Sequence, residues 1–216
     1  MSTSRKAVEG ANSRGRILRV AVEEFSNRGF AATRIDEIAR RAGANKQLIY
    51  YYFGNKAGLY DAVLEEMIEW SKPLWSSLPR GDLKQLVTQL SNVGDRKAAT
   101  WRRLLAWEGI EYSKRSRRRI HLEGVRTAAY QTLTEILERE KARGAFPSEM
   151  NSKVLSLLLT LVSVGPELLP QVTKLITGRE ADDPTLRQDI QNALFRIIDA
   201  AAQREVPMRS KRKTEG

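Results

Sequence analysis

The chain has 216 residues, with 37 Lys+Arg against 26 Asp+Glu, one histidine and no cysteine. The missing cysteine excludes a disulfide framework, a thiolate nucleophile and any Cys-based zinc or iron–sulfur site, and the single His121 cannot form a histidine metal cluster. The net charge of +11 is uneven: residues 1–60 carry 11 basic and 5 acidic side chains, residues 61–203 carry 21 and 19, and residues 204–216 carry 5 and 2.

Positive charge concentrated at one end is the footprint of a polyanion binder, nucleic acid or an acidic membrane surface, or of a basic protein kept soluble by its charge. The first residues contain no apolar run, so no signal peptide is expected. The longest apolar stretch, Val154 to Val164, is too short to span a bilayer. A soluble, cytoplasmic protein with no membrane partner is the resulting expectation.

Apolar residues recur at helical spacing along the chain, and no segment shows sustained strand-like alternation. Ile17, Val20, Ala21 and Phe25 form one stripe, closed by Gly29. Thr33-Arg34-Ile35-Asp36 reads as a capping-box-like start of a second helix with Ile35, Ile38, Ala39 and Ala42 inward. Gly43 ends it, and Asn45 caps a third helix, Lys46 to Phe53, that stops at Gly54-Asn55. A fourth starts near Lys56, and Pro73 is expected to end or kink it.

Further helices are expected at Leu83–Val93, Ala98–Tyr112 and 116–142. Lys153–Val164 is apolar almost all round, Gly165-Pro166 breaks or kinks it, and Leu168–Thr177 continues it. A last helix from Pro184 carries Leu186, Ile190, Leu194 and Ile198. The fold class is all-α: an N-terminal three-helix helix-turn-helix domain (13–58) and a larger C-terminal helical domain (59–203), flanked by disordered basic segments at 1–12 and 204–216.

Two short helices joined by Ala42-Gly43-Ala44-Asn45 have helix-turn-helix form, in which the second helix enters the DNA major groove. Lys46, Gln47, Tyr50, Tyr51, Tyr52 and Lys56 place donors and aromatic rings on this short stretch, and the helix starts at Thr33 and Asn45 offer backbone N–H groups to phosphate. Residues 13–60 resemble the DNA-binding domain of the TetR family of bacterial transcriptional regulators. The resemblance is carried by Ala21, Phe25, Gly29, Thr33, Ile38, Ala39, Ala42-Gly43, Lys46 and the run from Ile49 through Tyr50-Tyr51-Tyr52-Phe53-Gly54-Asn55-Lys56 to Leu59.

That resemblance implies that Thr33 and Arg34 meet phosphates, that Lys46, Gln47 and Leu48 face base edges, that Tyr50, Tyr51 and Tyr52 contact the DNA backbone or sugars, and that Lys56 grips a phosphate. Gln47 suits adenine, Lys46 suits guanine and Leu48 a thymine methyl. Leu48 and Tyr50 also fit a packing role. Arg5, Lys6, Arg14 and Arg16 read either as an arm reaching DNA or as a solvated tail.

A helix-turn-helix usually binds as a two-fold dimer, and the helices near 153–164 and 186–201 are the candidate faces. The resemblance implies a four-helix bundle there; ordinary core helices are the other reading. Trp70, Trp101, Trp107, Tyr112, His121 and Tyr130 lie where family members line an effector cavity. Lys114 to Arg119 form a basic cluster read as a solvated face, a DNA-backbone contact or a site for an anionic effector.

The resulting expectation is a homodimeric, ligand-responsive repressor that binds a double-stranded operator and a small-molecule effector, with no cofactor, metal or catalytic residue. An effector-independent nucleoid or architectural DNA binder is the alternative.

Overall fold

A computed structural model of the chain describes residues 2–92, 96–114 and 120–203, and the side chains of 12–92, 96–112 and 120–201. Every regular element among these residues is helical, as expected. They are α1 (Ser2–Ala32), α2 (Ile35–Ala42), α3 (Lys46–Phe53), α4 (Lys56–Ser76), α5 (Leu83–Ser91), α6 (Arg96–Lys114), α7 (Glu123–Ala142), α8 (Ser152–Leu168), α9 (Pro170–Thr177) and α10 (Pro184–Gln203). The expected basic segment at 204–216 and residues 115–119 of the basic cluster lie outside the described residues. No single helix among the described residues is long and apolar enough to cross a membrane.

The chain divides into two compact bodies, one of residues 1–76 and 94–128, the other of 77–93 and 129–216. The first contains the helix-turn-helix together with α4 and α6, so the expected boundary at residue 58 falls inside it. The reason is the core: Ile17, Ala21 and Phe25 of α1 are fully buried in one cluster with Ile38, Ile49, Leu59, Val63 and Leu104, drawn from α2, α3, α4 and α6. The Phe25 ring meets Tyr60 edge-on at 5.0 Å between centroids. The second body buries Leu83, Leu86 and Val87 of α5 with Leu133, Ile136, Leu137, Leu159 and Leu186. There the buried carboxylate of Glu140 accepts hydrogen bonds from the Gly81 N–H and from Arg143, both at 2.8 Å.

Several boundaries differ from the sequence reading. Residues 2–12, expected as a disordered arm, continue α1 as helix. The segment contains no proline, and its one glycine interrupts a run with Lys6, Ala7, Val8 and Glu9 that is compatible with helix propagation. Helix α7 begins at Glu123 and not near 116, because Leu122 takes a left-handed φ of 53° that no helix interior accommodates. Pro73 and Pro166 lie inside α4 and α8 without ending them, and at Leu169 α9 turns 90° from α8 with Pro170 at its first position.

The capping box at Thr33 does not form. Residue 34 takes the N-cap position of α2 without a side-chain bond, and Thr33 is buried, its hydroxyl donating to the Gly29 carbonyl at 2.7 Å and lying 3.2 Å from that of Glu24. The cause is Gly29, whose φ of 73° and ψ of 175° break α1 in a region only glycine enters readily. A Cβ there would sit 2.9 Å from Cδ2 of Trp107, whose ring lies against the bare backbone.

Gly29→Ala is expected to lower the unfolding free energy by about 1–3 kcal/mol through backbone strain alone, with more from the clash. Gly15→Ala, in mid-helix with open space around the added methyl, is expected to be neutral or to stabilise by up to about 1 kcal/mol. Urea denaturation of both variants checks this, and equal effects would show that Gly29 is not a special position.

Candidate nucleic-acid interface

The helix-turn-helix is built from local chemistry. Gly43 caps α2 in the left-handed conformation (φ 59°, ψ 40°), which lets the chain reverse within three residues. The Ala44 N–H returns to the Ala39 carbonyl at 2.9 Å. Asn45 then starts α3 in extended conformation, its side-chain oxygen accepting from the Leu48 N–H at 2.7 Å. With Ile49 and Phe53 buried one turn apart, the rest of this eight-residue helix is directed by its 3.6-residue period.

Lys46, Gln47, Tyr50 and Tyr51 come out on the exposed side, Tyr51 being 81% accessible. Leu48 and Tyr52 are half-buried against the core cluster, so both keep one edge in the packing. Arg34 is exposed at the start of α2. Thr33 is the correction in this set: its buried, internally bonded hydroxyl is not available to a phosphate.

Two of the lysines have internal duties. Lys46 reaches back to α2 and meets Asp36 at 3.0 Å, and this hydrogen-bonded partner raises its affinity for the proton. Lys56 donates to the Ala31 carbonyl at 3.1 Å and lies 4.8 Å over the Phe30 ring, and burial pulls its ammonium below the ordinary lysine range. It therefore holds the end of α1 as well as carrying charge at the start of α4.

Arg41, absent from the expected set, bonds Glu23 and Glu24 of α1 at 2.6 Å each and fastens α2 to α1. No local pattern announces that clamp, because its partners are 17 and 18 residues away. On the outer face Arg40 forks onto Glu37 at 2.6 and 2.9 Å, and that hydrogen bonding holds the Glu37 carboxyl below its usual range.

The aromatic residues expected to line an effector cavity are mostly committed to packing. Trp107 covers Gly29, and Trp101 is half-buried under the Arg126 guanidinium, 5.5 Å from its ring. Arg126 in turn pairs with Glu108 at 2.7 Å. His121 is buried, its Nδ1 2.6 Å from Asp61 Oδ1 and its ring edge-on to Tyr60. Trp70 and Tyr130 are half-buried and Tyr112 is exposed. Tyr130 is in the second body, whereas the other five belong to the body that carries the helix-turn-helix. Among the described residues no group of three or more His, Asp or Glu could hold a metal ion.

Against known proteins, the family profile described as "Bacterial regulatory proteins, tetR family" matches residues 17–63. The HTH-type transcriptional repressor SCO4008 of Streptomyces coelicolor is 34% identical over 190 residues, 87% of this chain and 95% of its own length. The HTH-type transcriptional repressor NicS of Pseudomonas putida is 29% identical over 154 residues, 68% of this chain and 72% of its own. The crystal structure of the transcriptional regulator SCO4942 from Streptomyces coelicolor superposes with a TM-score of 0.69 over 86% of this chain and 97% of that one, at 21% identity, a likeness of fold.

Asn45→Ala is expected to destabilise the first body by about 1 kcal/mol through loss of the α3 cap. Asn45→Asp, which keeps an acceptor, is expected to stay within a few tenths of that of the parent chain. Thermal melts of both variants distinguish this from a cap without energetic weight, which would leave the two melting together with the parent.

Proposed function

The chain belongs to the TetR family of bacterial transcriptional regulators, and from that premise we propose that it is a ligand-responsive repressor acting as a homodimer on a pseudo-palindromic DNA operator. The observation that carries this reading is the exposed side of α3, where Lys46, Gln47, Tyr50 and Tyr51 stand clear of a core that fixes the helix from behind. A helix presented in this way fits the major groove. Gln47 is the candidate adenine reader, while Lys46 reads guanine after leaving Asp36. Tyr50, Tyr51, Tyr52, Arg34 and Lys56 position the protein on the backbone, with backbone N–H groups at the starts of α2 and α3 adding phosphate contacts. Leu48, held half in the core, contributes at most an apolar edge to a thymine methyl.

Repression is supported by the naming of SCO4008 and NicS, both called transcriptional repressors. Sequence-blind architectural binding is disfavoured, because α3 presents an amide and an ammonium suited to base edges and not only backbone-binding cations. The cytoplasm, in contact with the nucleoid, is the matching compartment.

Dimerisation is assigned to α8 and α10. Val154, Leu157, Leu158 and Leu161, at one face of α8, are each about half accessible, and Ile197 of α10 is more exposed still. Burying such a row against a symmetry mate is the usual fate of a large apolar patch. The effector is assigned to the region after residue 58. With Trp101, Trp107 and His121 engaged in packing, the candidate contacts that remain in the first body are the half-buried Trp70 and the exposed Tyr112. An effector acts by binding more tightly to the state whose two recognition helices are misspaced.

On a duplex from upstream of its own gene, Gln47→Ala is expected to cost about 1–3 kcal/mol and to relax preference at one base pair, measured by fluorescence anisotropy. Tyr51→Phe is expected to weaken all duplexes alike. A uniform loss for Gln47→Ala would remove it from base reading. In sedimentation velocity, Leu157→Glu with Leu161→Glu is expected to give a folded monomer with at least about tenfold weaker operator binding; a persisting dimer would move the interface elsewhere.

A further inference from the structure

A cleft of about 690 Å³ opens in the first body between α1, α4 and α6, and none of the residues discussed so far as effector contacts lines it. Its chemistry is set by helical phase. On α6, Arg96, Lys97, Thr100 and Arg103 recur at spacings of one, four and seven and share one face, while α1 contributes Arg19. The four cations are exposed, and among the described residues none has a carboxylate partner. Two of them, Arg96 and Lys97, occupy the first turn of α6, which holds no acidic residue, so they stand at the positive end of the helix dipole. That placement favours an anion at this end of α6; Asp95, next to them in the sequence, lies outside the described residues.

The remaining lining makes the cleft a site and not only a basic surface. Val22, Met67 and Ala99 supply an apolar floor, and the volume suits a small organic molecule. Two carboxylates also face it. The charge of Glu23 is met by Arg41 at 2.6 Å, which leaves Glu66 as an acceptor opposite the cations. Along α4 the cleft is ten residues from Lys56, about 15 Å at the helical rise, so it is set back from the start of the helix.

We propose that this cleft binds a small, multiply charged organic anion that also carries a hydroxyl. Its carboxylate or phosphate groups meet Arg19, Arg96, Lys97 and Arg103, and its hydroxyl donates to Glu66. The site is separate from the α3 surface and from the effector contacts assigned above, and its existence does not depend on either.

Isothermal titration calorimetry of the full chain with citrate and, separately, with glucose 6-phosphate tests the assignment, at constant ionic strength so that bulk screening does not change. Saturable, submillimolar binding of at least one is expected, citrate alone identifying a polycarboxylate site and glucose 6-phosphate alone a phosphate site. Arg96→Gln with Arg103→Gln is expected to weaken binding by about tenfold or more, equivalent to about 1.4 kcal/mol. Ala99→Phe, which fills the floor and keeps all four cations, is expected to abolish it, and Arg80→Gln, an exposed cation elsewhere, to leave it unchanged. Should the double variant melt early, Arg19→Gln carries the same expectation from another helix. Absence of binding by both anions overturns the proposal. An equal loss in Arg80→Gln also overturns it, by reducing the effect to bulk charge. Loss of DNA affinity in the double variant with no small-anion binding overturns it as well and places these cations on the DNA backbone.

Discussion

The face of the Trp107 ring rests where a side chain at residue 29 would be, and the first body is organised around that contact. It requires glycine, and glycine permits the positive φ that stops α1 and turns the chain. The next residues are then gripped from two sides. Glu111 of α6 accepts from the Ala31 N–H at 2.8 Å, and Lys56 of α4 donates to the Ala31 carbonyl. Thr33 closes the turn on the Gly29 carbonyl, and α2 starts two residues later. The entry to the helix-turn-helix is thus set by side chains from α4 and α6 as much as by its own sequence. A shift of α6 along α1 would have to unseat Trp107 and break the Glu111 bond together, because packed interiors do not deform continuously.

The charge of residues 1–60 divides into two populations with different consequences. Arg41, Arg40, Lys46 and Lys56 each have a protein partner: Glu23 with Glu24, Glu37, Asp36 and the Ala31 carbonyl. The carboxylate pairs of Arg40, Arg41 and Lys46 orient helices and add little outward field, whereas Lys56, held by a neutral carbonyl, keeps its full charge. Arg34 and Arg19 are exposed instead, and Arg19 stands at the mouth of the α1–α4–α6 cleft beside cations contributed by α6. Tyr50 and Tyr51 extend the donor set of α3 without adding charge, which favours positioning over bulk attraction. In the second body the pattern reverses. It exposes apolar rows on α8 and α9, where Leu175 and Ile176 are among the most accessible side chains.

Much of this was legible in the residues. The stripes of α1, α2, α4 and α10, the glycine stops at 43, 54 and 178, and the Asn45 cap all operate within one or two helical turns, and local pattern reports them faithfully. So does the exposed side of α3, which follows once Ile49 and Phe53 are read as inward. Where the reading went astray, the deciding partner was distant or backbone geometry prevailed. The Thr33 hydroxyl found a carbonyl created by the Gly29 turn instead of capping α2. Leu122 ended the upstream extension of α7 by its own backbone. Pro73 and Pro166 remained within helices, and a 90° turn separates α8 from α9 at Leu169.

The sequence by itself determined that every regular element among the described residues is a helix, that a helix-turn-helix starts near residue 33, and which side of α3 faces away from the core. Each follows from periodicity and capping, forces that act between near neighbours. Only the tertiary structure decided that α6 and the aromatics Trp101, Trp107 and His121 support the helix-turn-helix body, that Lys46 and Lys56 are anchored to Asp36 and Ala31, and that the cations of α1 and α6 converge on one cleft. Those outcomes depend on which helical faces meet across tens of residues, and an amphipathic stripe specifies that a face is buried without specifying what buries it.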